Sequence, residues 1–502
     1  MTWVRGSKEQ SATDSYLWAR WLFLRALGLI FFSAFYSLAF QIHGLIGERG
    51  ILPVDYYLHQ LSGVAGPIER VWYAPTLLWM SADDRALTLI VAAGILTSIL
   101  LVLNVWPKLT VALSTLLFLS CIAALQDFSS YQSDEMLLEA GFISIFFAPR
   151  GIRAGLGAVD PPSRFSLFML RWEWFRIYFE SGLVKILSGD PHWRNFTAMD
   201  DYYQNGPLPS WMGWYVQQLP HWYHAGTVVI TFVVELVLVW AVFLPRRFRI
   251  GCFFAVTALQ IGIIATANYA FLNYLVLVLG VLLLDDRGLA AARFPPVEAV
   301  PREETRRVRI YRRVENTILG IAFYTTIVAF FLGDSGSLLA LPNRILSPFR
   351  IANAYGLFAV MTTARYEIEF QGSNDGQSWI PYPFRYKPQN LYERPGFYAP
   401  YQPRFDWNLW FASLASWQRS PWVVLTEERL MDGSPSVLKL FRADPFNGKP
   451  PSMVRTVLWQ YWFTDLATKR KTGAWWRRSE LGPFSPMVTR AADGSPIFSV
   501  NP

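Results

Sequence analysis

Apolar residues gather in long runs along the first two thirds of the chain, near 21–42, 86–105, 109–126, 133–148, 165–187, 225–244, 250–267, 270–284 and 317–332. A bilayer core ~30 Å thick takes about 20 mainly apolar residues as one helix. The pattern therefore predicts a polytopic α-helical membrane protein of about nine spans, with 133–148 and 270–284 the shortest. From about 345 the texture changes to short alternating runs broken by Pro, Gly and Asn, which predict a β-rich, sandwich-like domain with helical additions. In YEIEFQGSNDGQSWIPY (366–382) two strands flank Asn374-Asp375-Gly376, residues that tolerate positive φ, so this segment reads as a hairpin. Segments 404–418 and 451–468 read as candidate helices on the sheet, with Trp407, Trp410, Phe411 and Leu414 on one face of the first. The chain thus divides into a multi-span transmembrane domain, 1–334, and a C-terminal domain, 335–502.

Composition agrees with this pattern. Hydrophobic residues make up 53% and charged residues 16%, against roughly 25% charged in ordinary soluble domains, which excludes a soluble array. With 22 Trp, 23 Tyr and 37 Phe the chain can bury ample apolar surface, which excludes disorder. The net charge of +8 lies mostly in loops beside apolar runs, and no nucleic-acid-binding motif accompanies it, so membrane lipids and not nucleic acid are the expected partners. Arg5, Lys8 and Arg20, then Lys108, then Arg150, Arg153 and Arg164, then Arg246, Arg247 and Arg249, then RRVRIYRR at 306–313 occupy alternate loops. The other loops hold Arg49, Arg70, Arg85 and Arg194. Since positively charged loops stay cytoplasmic, the N-terminus is expected in the cytoplasm and the C-terminal domain outside, in a lumen or periplasm. The first twenty residues show no removable signal peptide, so the first run is expected to remain a helix. Cys121 and Cys252 lie in separate runs, which excludes a disulfide framework.

The fifth run, FSLFMLRWEWFRIYFESGLVKIL, carries Arg171, Glu173, Arg176, Glu180 and Lys185. Ionisable groups at membrane depth are costly and need partners. At about 100° per residue, Glu173, Arg176 and Glu180 share a sector of about 60°, which predicts an Arg176–Glu180 pair at i,i+4 spacing. Arg171 and Lys185 fall on nearly the opposite side, and Glu139 and Glu235 in neighbouring runs are further candidate partners. A structural ion-pair network is the preferred reading. The alternative is a catalytic centre in which a desolvated Lys185 acts as base beside Glu180. A third reading has Lys185 snorkelling from the outer end of its helix to the headgroups. The loop 189–224 holds His192, His221, His224, Asp190, Asp200 and Asp201, but their spacing matches no zinc pattern, and neither a metal nor another cofactor is expected. In the C-terminal domain, Trp475, Trp476, Arg477 and Arg478 are of the types enriched at binding hot spots and are the client-binding candidates. Adjacent residues on a helix or strand cannot both point into one core, so at least one of the two tryptophans is expected at the surface. Trp407, Trp410 and Phe411 are expected in the domain's own core.

Ordered segments through nearly the whole chain resemble the lipase maturation factor family: FQIHGLIGERGILPVDYYL (40–58), SDEMLLEAGFISIFFAP (133–149), FESGLVKILSGDPHWRNFTAM (179–199), ANYAFLNYLVLVL (267–279), NAYGLFAVMTTARYEIEFQGSNDGQSWIPYPFRYKP (353–388), APYQPRFDWNLWFASL (399–414) and TGAWWRRSELGPFSP (472–486). The resemblance implies a multi-pass endoplasmic reticulum membrane protein that assists folding and assembly of secreted lipases, a chaperone rather than an enzyme, with its C-terminal domain in the lumen. The chain is more compact and cysteine-poor than the animal pattern, and Arg far outnumbers Lys. A bacterial source would explain those traits, and the outer face would then be the periplasm of an inner-membrane protein. A shorter stretch, ESGLVKILSGDPHW, is similar to the membrane helix of vitamin K-dependent γ-carboxylase-like proteins. That similarity implies Lys185 as a base, with Asp190 and Trp193 matching only loosely and the rest of that signature not found.

Overall fold

The computed structural model describes residues 15–129, 131–290, 292–295, 297, 299–300, 305–333, 335–491 and 496–499; Arg5 and Lys8 lie outside the described residues. A helix forms at every apolar run: α1 (Leu17–Ala39), α2 (Asp84–Val102), α3 (Pro107–Ala124), α4 (Gln132–Phe147), α5 (Arg164–Leu187), α6 (His221–Phe232), α7 (Arg246–Thr266), α8 (Leu272–Gly280) and α9 (Arg306–Leu332). Helix α6 widens into a π turn at Val233–Val237 and then tightens into a 3-10 turn at Leu238–Phe243. Among the described residues six helices are long and apolar enough to cross a membrane: α1, α2, α3, α6 with its continuation, α7 and α9. Helix α4 has 16 residues, α8 is shorter still, and α5 is too charged.

Local chemistry sets the helix ends. Asp83 accepts the Ala86 N–H at 2.7 Å to start α2, and Ser163 accepts the Ser166 N–H at 3.1 Å to start α5. Gly333, at φ +52, closes α9 in a backbone conformation that glycine adopts without strain. Helix α1 runs through the centre of the bundle against α2, α7's neighbour α8, and α4. Phe31 and Phe35 meet Phe118 of α3 edge-to-face there.

The basic loops collect at one end of the bundle. The Trp106 N–H bonds the Ile152 carbonyl at 2.8 Å, Lys108 bonds the Tyr311 hydroxyl, and Arg150 covers the Tyr311 ring. Arg246 meets Asp285 at 3.0 Å, and the neighbouring Asp286 accepts the Leu17 N–H at the start of α1 at 2.8 Å. The opposite end carries the C-terminal region.

That region is built on one antiparallel sheet: β1 (Arg365–Ser373), β2 (Ile380–Pro381), β3 (Met453–Phe463), β4 (Trp476–Pro483), β5 (Met487–Arg490) and β6 (Pro496–Ser499), in the order β2-β1-β3-β5-β6 with β4 also on β3. β1 and β3 pair along their whole length, from Arg365↔Tyr461 to Ser373↔Met453. The 366–382 hairpin forms as expected, with Gly376 at φ +73 in its turn. Among the described residues no second sheet forms, which corrects the sandwich expectation. The layer over the Ile368 and Phe370 face is helical, made by α10 (Arg404–Ser413) and α11 (Trp422–Met431), with Phe405 stacked on Phe370 and meeting Trp422 and Phe441 edge-to-face. Segment 451–468 is also corrected from helix to strand β3. Its β-branched and aromatic residues are paired on both sides, and cross-strand packing outweighs the helical reading. On α10, Trp407 and Trp410 are buried, but Phe411 and Leu414 are 44% and 41% exposed. They form the edge of the helix turned away from the sheet.

Candidate functional site

The charges of α5 converge on a stretch of chain that no periodicity marked. Residues 350–361 lead from α9 to β1 and lie along the outer halves of α4 and α5. Extended backbone at that depth needs donors and acceptors from side chains, and α4 and α5 supply them. Glu139 accepts from Arg176, from the Asn353 N–H at 3.1 Å, from the Asn353 amide at 3.2 Å and from the Tyr355 hydroxyl at 2.8 Å. Arg176 also donates to the Asn353 carbonyl. One turn on, Glu180 accepts the Tyr355 N–H at 2.7 Å, and Ser181 accepts the Leu357 N–H at 3.2 Å. Gln132 accepts the Gly356 N–H at 3.1 Å. At the outer end Lys185 reaches both Glu235 oxygens at 2.9 and 3.0 Å and donates to the carbonyls of Leu357 and Ser181. Beyond it, Asp190 accepts the Met361 N–H at 2.6 Å and the Trp193 indole donates to the Phe358 carbonyl at 3.0 Å.

Glycine chemistry makes the outer part of this clamp possible. A Cβ on Gly182 would lie 2.9 Å from the Glu235 Cβ and 2.8 Å from a Leu236 methyl. Only hydrogen at this position lets α5 approach the π turn closely enough for Lys185 to bridge to Glu235.

A second set of bonds seats the sheet domain on the bundle. Arg404 of α10 forms a two-pronged salt bridge with Asp134 of α4 at 2.7 and 2.8 Å and donates to the Phe128 carbonyl; both side chains are fully buried. Arg365 of β1 donates to the carbonyls of Gln204, Gly206 and Pro207 and pairs with Glu367. Asn268 donates to the Gly396 carbonyl at 2.9 Å and accepts the Tyr398 N–H at 2.7 Å. Buried side chains of both halves form one continuous hydrophobic cluster.

The predicted polar residues other than Arg171 thus sit together, with different partners. Arg176 takes Glu139 instead of Glu180, because Glu180 is occupied by the Tyr355 backbone. Glu173 is fully buried beside the same cluster, near Glu139, Arg176 and the Ala140 backbone. Arg171 lies toward the other end of α5 and donates to the Leu282 carbonyl at 2.6 Å. Lys185 does not snorkel: it is 2% exposed and its ammonium is fully bonded to protein. The expectation that Trp475 or Trp476 is exposed is overturned, since two different cores flank that point of the chain. Trp475 packs edge-on against Trp214 of the bundle's outer loops, with Lys469 over its face, while Trp476 packs on Phe463 and Tyr461 of the sheet. Arg477 is exposed over Trp462, and Arg478 is half-buried over Trp459 while bonded to Glu369 and Tyr461. His192, His221 and His224 engage separate partners, Thr197, Asp200 and the Leu219 carbonyl. Asn353, Tyr355 and Asp134 were missed as site residues. Two acidic residues so close together as Asp134 and Glu139, on so short an apolar run, were the available signal that this helix must face buried donors.

A helical membrane bundle whose charged helix α5 grips the strap leading to a C-terminal sheet region is a multi-pass membrane protein with that sheet region firmly seated on it. The chain belongs to the lipase maturation factor family: residues 18–291 match the lipase maturation factor transmembrane domain and residues 351–486 the lipase maturation factor C-terminal domain. It is similar to lipase maturation factor 2 of Gallus gallus, at 31% identity over 94% of this chain and 81% of that protein. Lipase maturation factor 1 of Mus musculus is also 31% identical, over 94% of this chain and 88% of its own, and that of Bos taurus is 30% identical over 97% and 92%. No solved structure matches the chain.

Proposed function

We propose that this protein is a membrane-anchored maturation factor that assists folding and assembly of secreted lipases. The observation that carries this reading is the family match along nearly the whole chain, in which the relatives bear the name lipase maturation factor. Its help to a client is noncovalent: the chain has two cysteines, both buried in membrane helices, so neither is placed for thiol exchange. The γ-carboxylase-like alternative is less favoured, because Lys185 is held by Glu235 and two carbonyls rather than free to take a proton.

In this proposal all nine helices span, the N-terminus is cytoplasmic, and the bundle 1–334 carries the domain 335–502 on the lumenal or periplasmic face. The gathering of the basic loops at the end opposite the sheet supports that orientation. The membrane is the endoplasmic reticulum by family, or an inner membrane in a bacterial host. Glu139, Glu173, Arg176, Glu180, Lys185 and Glu235 act as a structural network, and Arg171, at the other end of α5, ties that helix to the Leu282 carbonyl. The client surface is the β4 edge, where Arg477 and Arg478 stack on Trp462 and Trp459 and where β4 pairs with β3 alone among the described residues. An unpaired strand edge offers backbone groups to an unfinished chain.

The test is to delete the gene in its native host and measure the folded, active fraction of a secreted lipase, with restoration by the full chain and by Arg477→Ala. The reading expects the active fraction to fall on deletion, to return with the full chain, and to return incompletely with the variant at equal abundance. Unchanged lipase yield on deletion would overturn it. Reporters fused after 249 or 305 should report cytoplasm, and those after 340 or at 502 the outer face.

A further inference from the structure

Between α6, α7 and the outer half of α5 lies a cavity of about 400 Å³ whose inner wall is formed in part by Lys185 and Glu235 of the clamp. Its shape follows from how α6 and α7 pack. They meet closely only at one end, where the 3-10 turn Leu238–Phe243 rests on α7 and the Cys252 thiol lies 3.4 Å from the Leu238 carbonyl. Toward their other ends the helices part, and Ile230 of α6 faces Ala258 and Gly262 of α7 across the opening. These three residues line the cavity and are exposed on the outer surface of the bundle, so the opening is lateral. In a membrane-embedded bundle a lateral opening meets lipid and not water.

The inner wall is polar, and its charges cancel. Lys185 and Glu235 neutralise each other at 2.9 Å. Next to them the Asn273 amide donates to Gln260 at 2.7 Å, and the Gln260 amide donates to the Tyr178 hydroxyl at 2.8 Å. A phenol that accepts this bond still has its own hydrogen to give. The chamber therefore offers a smooth apolar entrance, an unspent neutral donor inside and no net charge. An ionic headgroup would gain nothing there to offset its desolvation, whereas an ester carbonyl or hydroxyl can accept from Tyr178.

We infer that this cavity binds an uncharged lipid of the glyceride type, entering from the bilayer between α6 and α7 with its acyl chain against Ala258 and Gly262 and its head at Tyr178. The inference is independent of which client the outer domain serves.

The test uses the purified full-length protein in phosphatidylcholine nanodiscs doped with a diacylglycerol carrying a diazirine in its acyl chain. Parallel samples carry the same photoprobe on phosphatidylcholine or on free fatty acid, and labelled peptides are mapped by mass spectrometry. Diacylglycerol should label α6 and α7 peptides around the cavity about tenfold more than either charged-head probe, the ratio that about 1.4 kcal/mol of differential binding gives. Gly262→Phe and Ala258→Phe should each remove that labelling while leaving labelling elsewhere unchanged. Gly262 suits the purpose because a Cβ there meets nothing within 4 Å, so the ring enters open space without displacing the backbone. Equal labelling by the three probes, preference for the fatty acid, or full labelling in both filled variants would overturn the inference. The unsubstituted protein decides the lipid class by itself, whatever the variants do to folding.

Discussion

Glu139 gathers four donors from two elements on one buried carboxylate. Glu139→Ala should lower stability by about 3–5 kcal/mol, because it leaves the Arg176 guanidinium buried without its counter-charge. Thermal unfolding in detergent and cellular abundance both read this. Tyr355→Phe loses one neutral-to-charged bond and should cost about 1.5–3 kcal/mol. Lys185 separates architecture from catalysis. Lys185→Met alone strands Glu235, and Lys185→Met with Glu235→Met removes both charges together. For a structural pair the double variant should recover most of the stability and client maturation lost in the single one. Maturation still abolished in a stable double variant would instead assign Lys185 a chemical role. Trp476, filling the space beside Phe463 and Tyr461, should cost about 3–5 kcal/mol when cut to Ala.

Among elements, α5 and the π turn depend on the absence of a side chain at Gly182, so Gly182→Leu should destabilise by about 1–3 kcal/mol through overpacking and weaken the Lys185–Glu235 bridge. Helix α10 carries a pH dependence. Burial raises the Asp406 carboxyl from 3.8 to about 6, against the pull of the Lys387 and Tyr386 N–H bonds. The folded state thus holds this proton more tightly than the unfolded chain. Its stabilising contribution is full below about pH 4 and disappears as pH rises through 6. Asp406→Asn keeps an oxygen for both N–H groups and never ionises. The variant should be more stable than the parent by about 3 kcal/mol at pH 7.5 and no different near pH 4. Paired thermal melts across that range check it.

For the molecule as a whole, the buried Asp134–Arg404 bridge joins the bundle to the sheet region, alongside the Arg365 and Asn268 bonds and the shared apolar core. Arg404→Ala should leave Asp134 unpaired at the interface, cost about 3–5 kcal/mol, and expose the 350–361 strap to limited proteolysis before the bundle itself unfolds. Cleavage first within the bundle would show that the sheet domain is held by the apolar contacts alone.

The positions of the nine helices were legible because each follows from its own apolar run, six of them long enough to cross a bilayer, and a helix satisfies its backbone only within itself, a constraint that acts locally. The hairpin at Asn374-Asp375-Gly376 was legible for the same reason, since a tight turn depends on the residues in it. Segment 453–463 was not: whether such a stretch becomes strand or helix depends on the neighbours available to pair with it, here β1 and β4. That α5 needed buried partners followed from its charges, but their identity did not. Glu139 and Asn353 are 214 residues apart in sequence, and Arg176 prefers Glu139 over the adjacent turn's Glu180 only because the strap brings the Tyr355 N–H to Glu180. Sequence by itself determined where the helices of the bundle form and that the charges of α5 must be buried. Tertiary structure decided which charge meets which, because ion pairing depends on distance in space and the fold alone sets that distance.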